Sequence, residues 1–216
     1  MSKTARVGRE PVVRAALKLL DEVGLEGLTL RGVAAELGLR APTLYWRFRN
    51  KQDLVDEMAT QVLLDLRGAF AAGGLPQAWP ELTRSYAHDF RAALLAHRDG
   101  ARMVAGTRLR DSAVFATMEA ALGVFMAAGI AAAEAAIFLK TVNDYVTGFT
   151  IEQQAVVSPS GERAAGYELE ARAAGVDAQL YPLARSVGAV LLDNYDASFE
   201  RGLDYLIAGL RAELAK

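Results

Sequence analysis

Apolar residues recur at intervals of three and four along nearly the whole chain, which is the spacing of one face of an α-helix. No run alternates convincingly at a period of two, so strands are not expected. Breaks in the pattern separate ten predicted helices, at about residues 11–23, 30–37, 42–48, 51–71, 79–97, 100–106, 111–127, 131–157, 178–192 and 196–215. The pattern therefore predicts an all-α fold.

Residues that favour helix ends support these bounds. Thr29 and Asn50 precede helical runs and are natural N-caps, whereas Gly24 is a natural helix stop. Pro182 predicts a kink within the ninth helix. A loop is expected from Ser158 to beyond Gly175.

Composition excludes several kinds of chemistry. The chain has 216 residues, 52% of them apolar, and no cysteine. Disulfides, thiolate zinc sites, iron–sulfur clusters and cysteine nucleophiles are therefore excluded. The N-terminus lacks the apolar region of a secretory signal, and no apolar stretch is long enough to cross a bilayer. We expect a cytoplasmic protein that makes no membrane contact.

Charge is distributed unevenly along the chain. Residues 1–51 hold ten Lys or Arg against five acids, a net charge of +5, which leaves −7 for residues 52–216. Lys3 and Arg6 are among these basic residues. A basic N-terminal segment on an acidic body indicates that the segment meets a polyanion.

Residues 29–48, TLRGVAAELGLRAPTLYWRF, form the most informative motif. Two short helices joined by a tight turn containing Gly38 are typical of a helix-turn-helix. Its second helix enters the DNA major groove, so it must be small and polar at its start. Here that helix begins with Ala41, Pro42 and Thr43.

These residues resemble the tetracycline-repressor (TetR) family, in the segment GLEGLTLRGVAAELGLRAPTLYWRFRNKQDL. The segments ALLAHRDGARMVAGTR and VTGFTIEQQ extend the resemblance into the body. It implies a three-helix DNA-binding head at residues 1–50. It also implies a ligand-binding and dimerisation domain at 51–216, whose first helix, 51–71, connects the two. The expected protein is a homodimer whose C-terminal helices form the interface.

The resemblance implies which residues contact operator DNA. Two positions depart from the tetracycline-binding members: Ala41 replaces a base-reading glutamine and Arg40 replaces a glutamate. A different operator sequence is therefore expected. The implied contacts are Arg31, Ala41, Pro42, Thr43, Tyr45, Trp46, Arg47 and Lys51.

The resemblance also implies an effector site. Its expected residues are Arg67, Tyr86, Phe90, Val104, Thr107, Asp144 and Glu152. Phe90, Thr107 and Glu152 match the tetracycline-binding members, whereas the other four replace an asparagine and three histidines. Val104 replaces the histidine that ligates drug-bound magnesium, and valine has no lone pair. We therefore expect no metal site and no cofactor, and an effector other than a magnesium–tetracycline complex.

Simpler roles remain open for several of these residues. Trp46 could pack in the head, and Tyr86 and Phe90, four apart on one helix face, suit a core as well as a pocket. Arg67 fits a pocket mouth or a salt bridge equally well. Asp144 lies on an apolar helix, where a buried carboxylate needs a partner.

The sequence favours a repressor released from DNA by a small, mostly hydrophobic effector such as a drug or polyketide. One alternative is a DNA-binding regulator without a small-molecule effector, which a body filled by side chains would support. Another is an enzyme using Asp144, Glu152 or His97. No nucleophile–base motif or phosphate loop supports catalysis, so we expect no enzyme activity.

Overall fold

A computed structural model describes residues 8–108, 111–158 and 161–216. Within these ranges the chain is helical apart from loops and an isolated bridge between Val157 and Arg163. The all-α prediction is therefore confirmed. The helices are α1 (Arg9–Gly27), α2 (Leu30–Glu36), α3 (Pro42–Tyr45), α4 (Lys51–Gly73), α5 (Trp79–Leu95), α6 (Gly100–Val104), α7 (Ala113–Ala127), α8 (Ala132–Val156), α9 (Leu169–Gly175), α10 (Pro182–Ser186), α11 (Gly188–Leu192) and α12 (Tyr195–Leu214).

Four positions used in the sequence analysis lie outside the described residues. They are Lys3 and Arg6, from the basic N-terminus, and Pro159 and Ser160, from the predicted loop. In the described part of the chain, no helix combines the length and hydropathy needed to cross a bilayer.

The first three helices form a small head with its own apolar core. The hydroxyl of Thr29 caps α2 by accepting a hydrogen bond from the Gly32 N–H at 3.0 Å. Gly38 then turns the chain with a φ of +64°, a conformation that glycine adopts without steric cost. Leu44 of α3 and Phe48 after it point into the core, each only 2% exposed. Two short helices too small to be stable alone are thereby held against α1.

Helix α4 belongs to both halves of the molecule. Asn50 caps it by accepting a hydrogen bond from the Asp53 N–H at 2.8 Å. Leu54, Met58 and Val62 on its first half lie in the core of the head, whereas Leu66 lies in the core of the body. The head is therefore completed by residues that follow the predicted boundary at residue 50.

The body is built around α5 and α8, which pack along each other. Trp79 meets Phe138 edge-on with ring centroids 5.7 Å apart, and Phe125 lies against both rings. On the other side, the buried guanidinium of Arg91 lies 4.6 Å from the ring centroid of Phe199 on α12. Aromatic contacts thus fix α5, α7, α8 and α12 relative to one another.

The segment before α12 differs from the prediction. The expected loop contains the helix α9, and the expected helix at 178–192 is two short helices, α10 and α11, separated at Val187. Pro182 lies in the first turn of α10, where its missing N–H removes no helical hydrogen bond, so it begins a helix instead of kinking one.

The packing of α6 against the end of α5 gives a test of this arrangement. A Cβ added to Gly100 would lie 2.1 Å from the carbonyl oxygen of Leu94. We expect Gly100→Ala to lower the free energy of unfolding by about 3 kcal/mol, measured by urea denaturation, because the backbone must shift.

The matched control is Gly123→Ala on α7, where an added Cβ meets no atom within 4 Å. It should raise stability by about 0.5–1 kcal/mol, the ordinary benefit of alanine over glycine in a helix. Equal stability of Gly100→Ala and the parent protein would contradict the close approach of α6 and α5.

Candidate functional site

The helix-turn-helix presents aromatic and basic side chains to solvent. Tyr45 is 47% exposed and Trp46 is 59% exposed, whereas Leu44 of α3 is buried. Trp46 is therefore not a core aromatic of the head. Arg31, at the start of α2, is exposed, and so is Pro42 at the start of α3.

The other expected DNA contacts are less exposed. The guanidinium carbon of Arg47 lies 5.0 Å from the centroid of the Trp46 ring, a distance typical of a cation–π contact. Ala41 and Thr43 are half-buried, and Ala41 packs against the apolar core of the head. The surface of α3 is therefore an aromatic and cationic ridge that rests on small side chains.

Lys51 has a structural contact that was not predicted from the sequence. Its ammonium donates hydrogen bonds to the backbone carbonyls of Leu25 and Glu26, the latter at 3.2 Å. These carbonyls lie in the last turn of α1, which follows a break in the helix at Gly24, where φ is +72°. Many sequences place a lysine after a helix, so the presence of Lys51 did not by itself predict this contact.

The same end of α1 contacts the body. The Asp99 carboxylate accepts a hydrogen bond from the Leu25 N–H at 2.8 Å, and the Arg98 guanidinium donates one to the Glu22 carbonyl at 3.0 Å. Since Asp99 directly precedes α6, the head is tied to the body at α6 as well as through α4.

A cavity of about 320 Å³ lies in the body between α4, α5, α7 and α8. Its volume is within the range of pockets that hold small organic molecules. Its walls are mostly apolar, with five polar side chains among them. The lining residues are Leu63, Leu66, Arg67, Leu75, Leu82, Tyr86, Thr117, Met118, Ala121, Ala136, Leu139, Lys140 and Asn143.

Tyr86 positions a polar group in this cavity. Its hydroxyl donates a hydrogen bond to Asn143 Oδ1 at 2.9 Å, and its ring stacks on Phe90 at 5.6 Å with an interplanar angle of 17°. Burial raises the pKa of Tyr86 above that of a free phenol. The hydroxyl therefore remains protonated near neutral pH. It donates its hydrogen bond to Asn143 as a neutral group.

Comparisons with known proteins agree with both halves of this geometry. Residues 12–58 match the family model "Bacterial regulatory proteins, tetR family", and residues 73–214 match "Tetracyclin repressor-like, C-terminal domain". The class A tetracycline repressor protein from transposon 1721 of Escherichia coli is 39% identical over 203 residues, which cover 92% of this chain and 88% of that protein.

The chain belongs to the TetR family.

Two solved structures share its fold. One is a possible TetR family transcriptional regulator from Streptomyces coelicolor A3(2), with a TM-score of 0.82, 37% identity, and coverage of 95% of this chain and 99% of that one. The other is a TetR variant from Acinetobacter baumannii AYE in complex with minocycline. It has a TM-score of 0.72, 33% identity, and coverage of 95% and 97%.

The structure brings two of the seven expected effector residues to the cavity of this TetR-family chain, namely Arg67 and Tyr86. Phe90 lies behind Tyr86, in the body core. Val104 and Thr107 lie at the end of α6, where the Thr107 hydroxyl donates to the Val104 carbonyl at 2.7 Å.

The two acids expected in the effector site lie outside the cavity lining. Asp144 is exposed and forms an ion pair with Lys140, one turn earlier on α8. It is therefore not a carboxylate buried on an apolar helix face. Glu152, two turns further along α8, is also exposed.

Three polar lining residues were missed from the sequence: Thr117, Lys140 and Asn143. For α8 the signal was present, because residues 136, 139, 140 and 143 follow the helical spacing of one face. Thr117 had no such signal, since a threonine in an apolar helix usually bonds to its own backbone.

The residues expected near a drug-bound magnesium do not fit a metal. Val104 is half-buried and offers only hydrocarbon. Within residues 8–108, 111–158 and 161–216, no three histidine or acidic side chains are grouped so that they could hold an ion. We therefore assign no step to a metal held by the protein.

The hydroxyl of Thr117 gives a test of the cavity. This oxygen is buried and has no hydrogen-bond partner in the described structure. We expect Thr117→Val to raise the free energy of unfolding by about 1 kcal/mol in urea denaturation without added ligand, because an unsatisfied polar atom is removed at constant shape.

Thr150→Val is the matched control, since the buried Thr150 hydroxyl donates to the Val146 carbonyl at 2.7 Å. That variant should not gain stability. A loss of stability in Thr117→Val as large as in Thr150→Val would show that the Thr117 hydroxyl is satisfied.

Proposed function

We propose that this protein is a homodimeric, cytoplasmic transcriptional repressor that leaves its operator when a small, mostly hydrophobic molecule fills the body cavity. The main support for this proposal is that one helix, α4, packs in the core of the head with the solvent-facing helix-turn-helix and also lines an apolar cavity. A cavity of this size also disfavours the alternative of a regulator without a small-molecule effector.

The exposed ridge on α3 supports major-groove binding. Arg31, Thr43 and Arg47 can reach base edges, whereas Tyr45 and Lys51 can contact phosphates. Ala41 and Pro42 leave room for the close approach of the groove, and Trp46 is placed for either kind of contact. In a two-fold dimer, the recognition helices would occupy successive major grooves about 34–36 Å apart.

Exposed apolar side chains on the long body helices support the dimer. Ile137 on α8 is 63% exposed and Tyr205 on α12 is 70% exposed. Side chains of this size are favourable to bury against a second copy of the same face. The Acinetobacter relative in complex with minocycline and the Escherichia coli relative, a tetracycline repressor protein, support the regulatory role.

The coupling between the cavity and the head runs through α4 and α6. Met58 and Val62 of α4 pack in the head, and Leu63 and Leu66 directly beyond them line the cavity. A ligand that displaces α4 therefore moves the head with it. The ligand can weaken DNA binding only by as much as it prefers the displaced arrangement.

Helix α6 offers a second connection. The amide side chain of Gln154 on α8 accepts a hydrogen bond from the Ala101 N–H at 3.1 Å and donates one to the His97 carbonyl at 2.8 Å. Met103 on α6 lies in the head core. A shift of α8 or α5 would thus be transmitted to the head through directly contacting residues.

We infer regulation in preference to catalysis from the placement of the residues that an enzyme would use. His97 pairs with Asp21 near the head, Asp144 pairs with Lys140 on the surface, and Glu152 lies elsewhere on α8. None of the three lines the cavity, and they do not share one site.

DNA binding can be tested with a duplex selected from a random pool. Lys51→Ala should weaken binding at all sequences and reduce the slope of log affinity against log salt by about one, because about one counterion release is lost. Arg31→Ala should instead reduce discrimination between the selected site and random DNA. Lys216→Ala, which removes the same charge from the exposed C-terminus, is the matched control and should change neither quantity. An unchanged salt slope in Lys51→Ala would contradict the phosphate contact.

The effector site can be tested by filling it. Ala121→Trp places an indole in the cavity, so it should bind the selected duplex as the parent does but resist release. The ligands for this test are aromatic molecules that raise the melting temperature of the parent, and release is followed by fluorescence anisotropy. Ala128→Trp, at an exposed position after α7, is the matched control and should be released normally. Release of Ala121→Trp by the same molecules would place the effector elsewhere.

A further inference from the structure

The charged groups of the cavity all have the same sign. Arg67 on α4 and Lys140 on α8 are both exposed and line the cavity, so they lie where it meets solvent. Among the residues that the structure describes, no aspartate or glutamate lines the cavity. The cavity is therefore an apolar chamber with two cations at its rim.

The two cations differ in their availability. The ammonium of Lys140 is paired with Asp144, which lies outside the lining and neutralises it. Arg67 forms no ion pair with any residue in the described ranges. Its guanidinium is thus the charge that a ligand would meet without first breaking a salt bridge.

The uncharged polar groups inside the cavity are also donors. Asn143 Oδ1 already accepts the hydrogen bond from Tyr86, which leaves the amide NH2 of Asn143 as its free polar group. The Thr117 hydroxyl oxygen is also unpaired in the described structure, but it is shielded from the open space of the cavity. The free amide donor of Asn143 is complementary to a molecule that carries an oxygen acceptor.

We propose that the effector is an organic acid: a flat apolar body bearing a carboxylate or other oxyanion that pairs with Arg67. The inference rests on the proposed function, since it names the chemical class that the effector site accepts. The planar guanidinium fork matches a carboxylate with two parallel hydrogen bonds, and an oxygen acceptor on the apolar part of the ligand would accept a hydrogen bond from the Asn143 amide. A cationic ligand would meet like charge at the rim and no carboxylate inside.

The test uses two probes of one shape, anthraquinone-2-carboxylic acid and anthraquinone-2-carboxamide. Each is titrated calorimetrically into the full-length protein at neutral pH with EDTA present, and both are assayed for release of the selected duplex. The acid should bind at least about fivefold more tightly than the amide, since a charge-assisted hydrogen bond is stronger than a neutral one. Arg67→Gln should abolish this preference and Arg67→Lys should retain part of it.

Arg201→Gln is the matched control, because Arg201 is an exposed arginine on α12 and lies outside the cavity. It should keep the full preference for the acid. Asn143→Ala should weaken both probes by a similar factor, which separates the carbonyl contact from the charge.

Three results would overturn the inference: equal or tighter binding of the amide, a preference for the acid that survives in Arg67→Gln, or binding of neither probe to the parent protein. Failure of the proposed function looks different. In that case the acid binds preferentially at Arg67 but leaves DNA affinity unchanged at saturation. Release of the duplex by the amide as efficiently as by the acid would keep the proposed function and reject the organic acid.

Discussion

The structure depends on α4 being one uninterrupted helix. Twenty-three residues rise about 35 Å at 1.5 Å each, enough to reach from the core of the head into the wall of the cavity. Val62 packs in the head and Leu63, the next residue, lines the cavity. Because a helix without a break transmits displacement and rotation along its axis, the two halves cannot change their arrangement independently.

The end of α1 supplies the second constraint on the head. Its last carbonyls accept hydrogen bonds from Lys51 and Arg98, and its Leu25 N–H donates to Asp99. Each bond alone contributes roughly 0.5–3 kcal/mol. Their joint effect is geometric, since they fix α1 against both α4 and the start of α6, so a shift in either helix is felt by the head.

Aromatic packing elsewhere in the body fixes the helices that form the cavity walls. Trp79, Phe125 and Phe138 hold α5, α7 and α8 apart on one side, and Arg91 joins α5 to Phe199 on the other. These rigid contacts prevent the walls from collapsing onto the space between them.

Local physical chemistry made much of this protein readable from its sequence. The 3.6-residue period predicted the all-α fold, the caps Thr29 and Asn50 fixed two helix starts, and the helix-turn-helix was evident from its spacing. These features depend on residues within one or two turns of each other, so they can be predicted from the sequence alone. The same locality explains the error near Pro182, where a proline suits either a kink or a first turn.

Tertiary structure alone decided the composition of the effector site. Whether Asp144 or its neighbour Asn143 faces the cavity depends on the rotation of α8 against α5. Both residues are polar, so the sequence does not distinguish between them. Likewise, Trp46 is exposed because Leu44 and Phe48 already fill the head core. Sequence thus determined most of the helices and what they resemble, but not α9 or the division between α10 and α11. Packing determined which side chains meet, because that depends on distances between residues far apart in the chain.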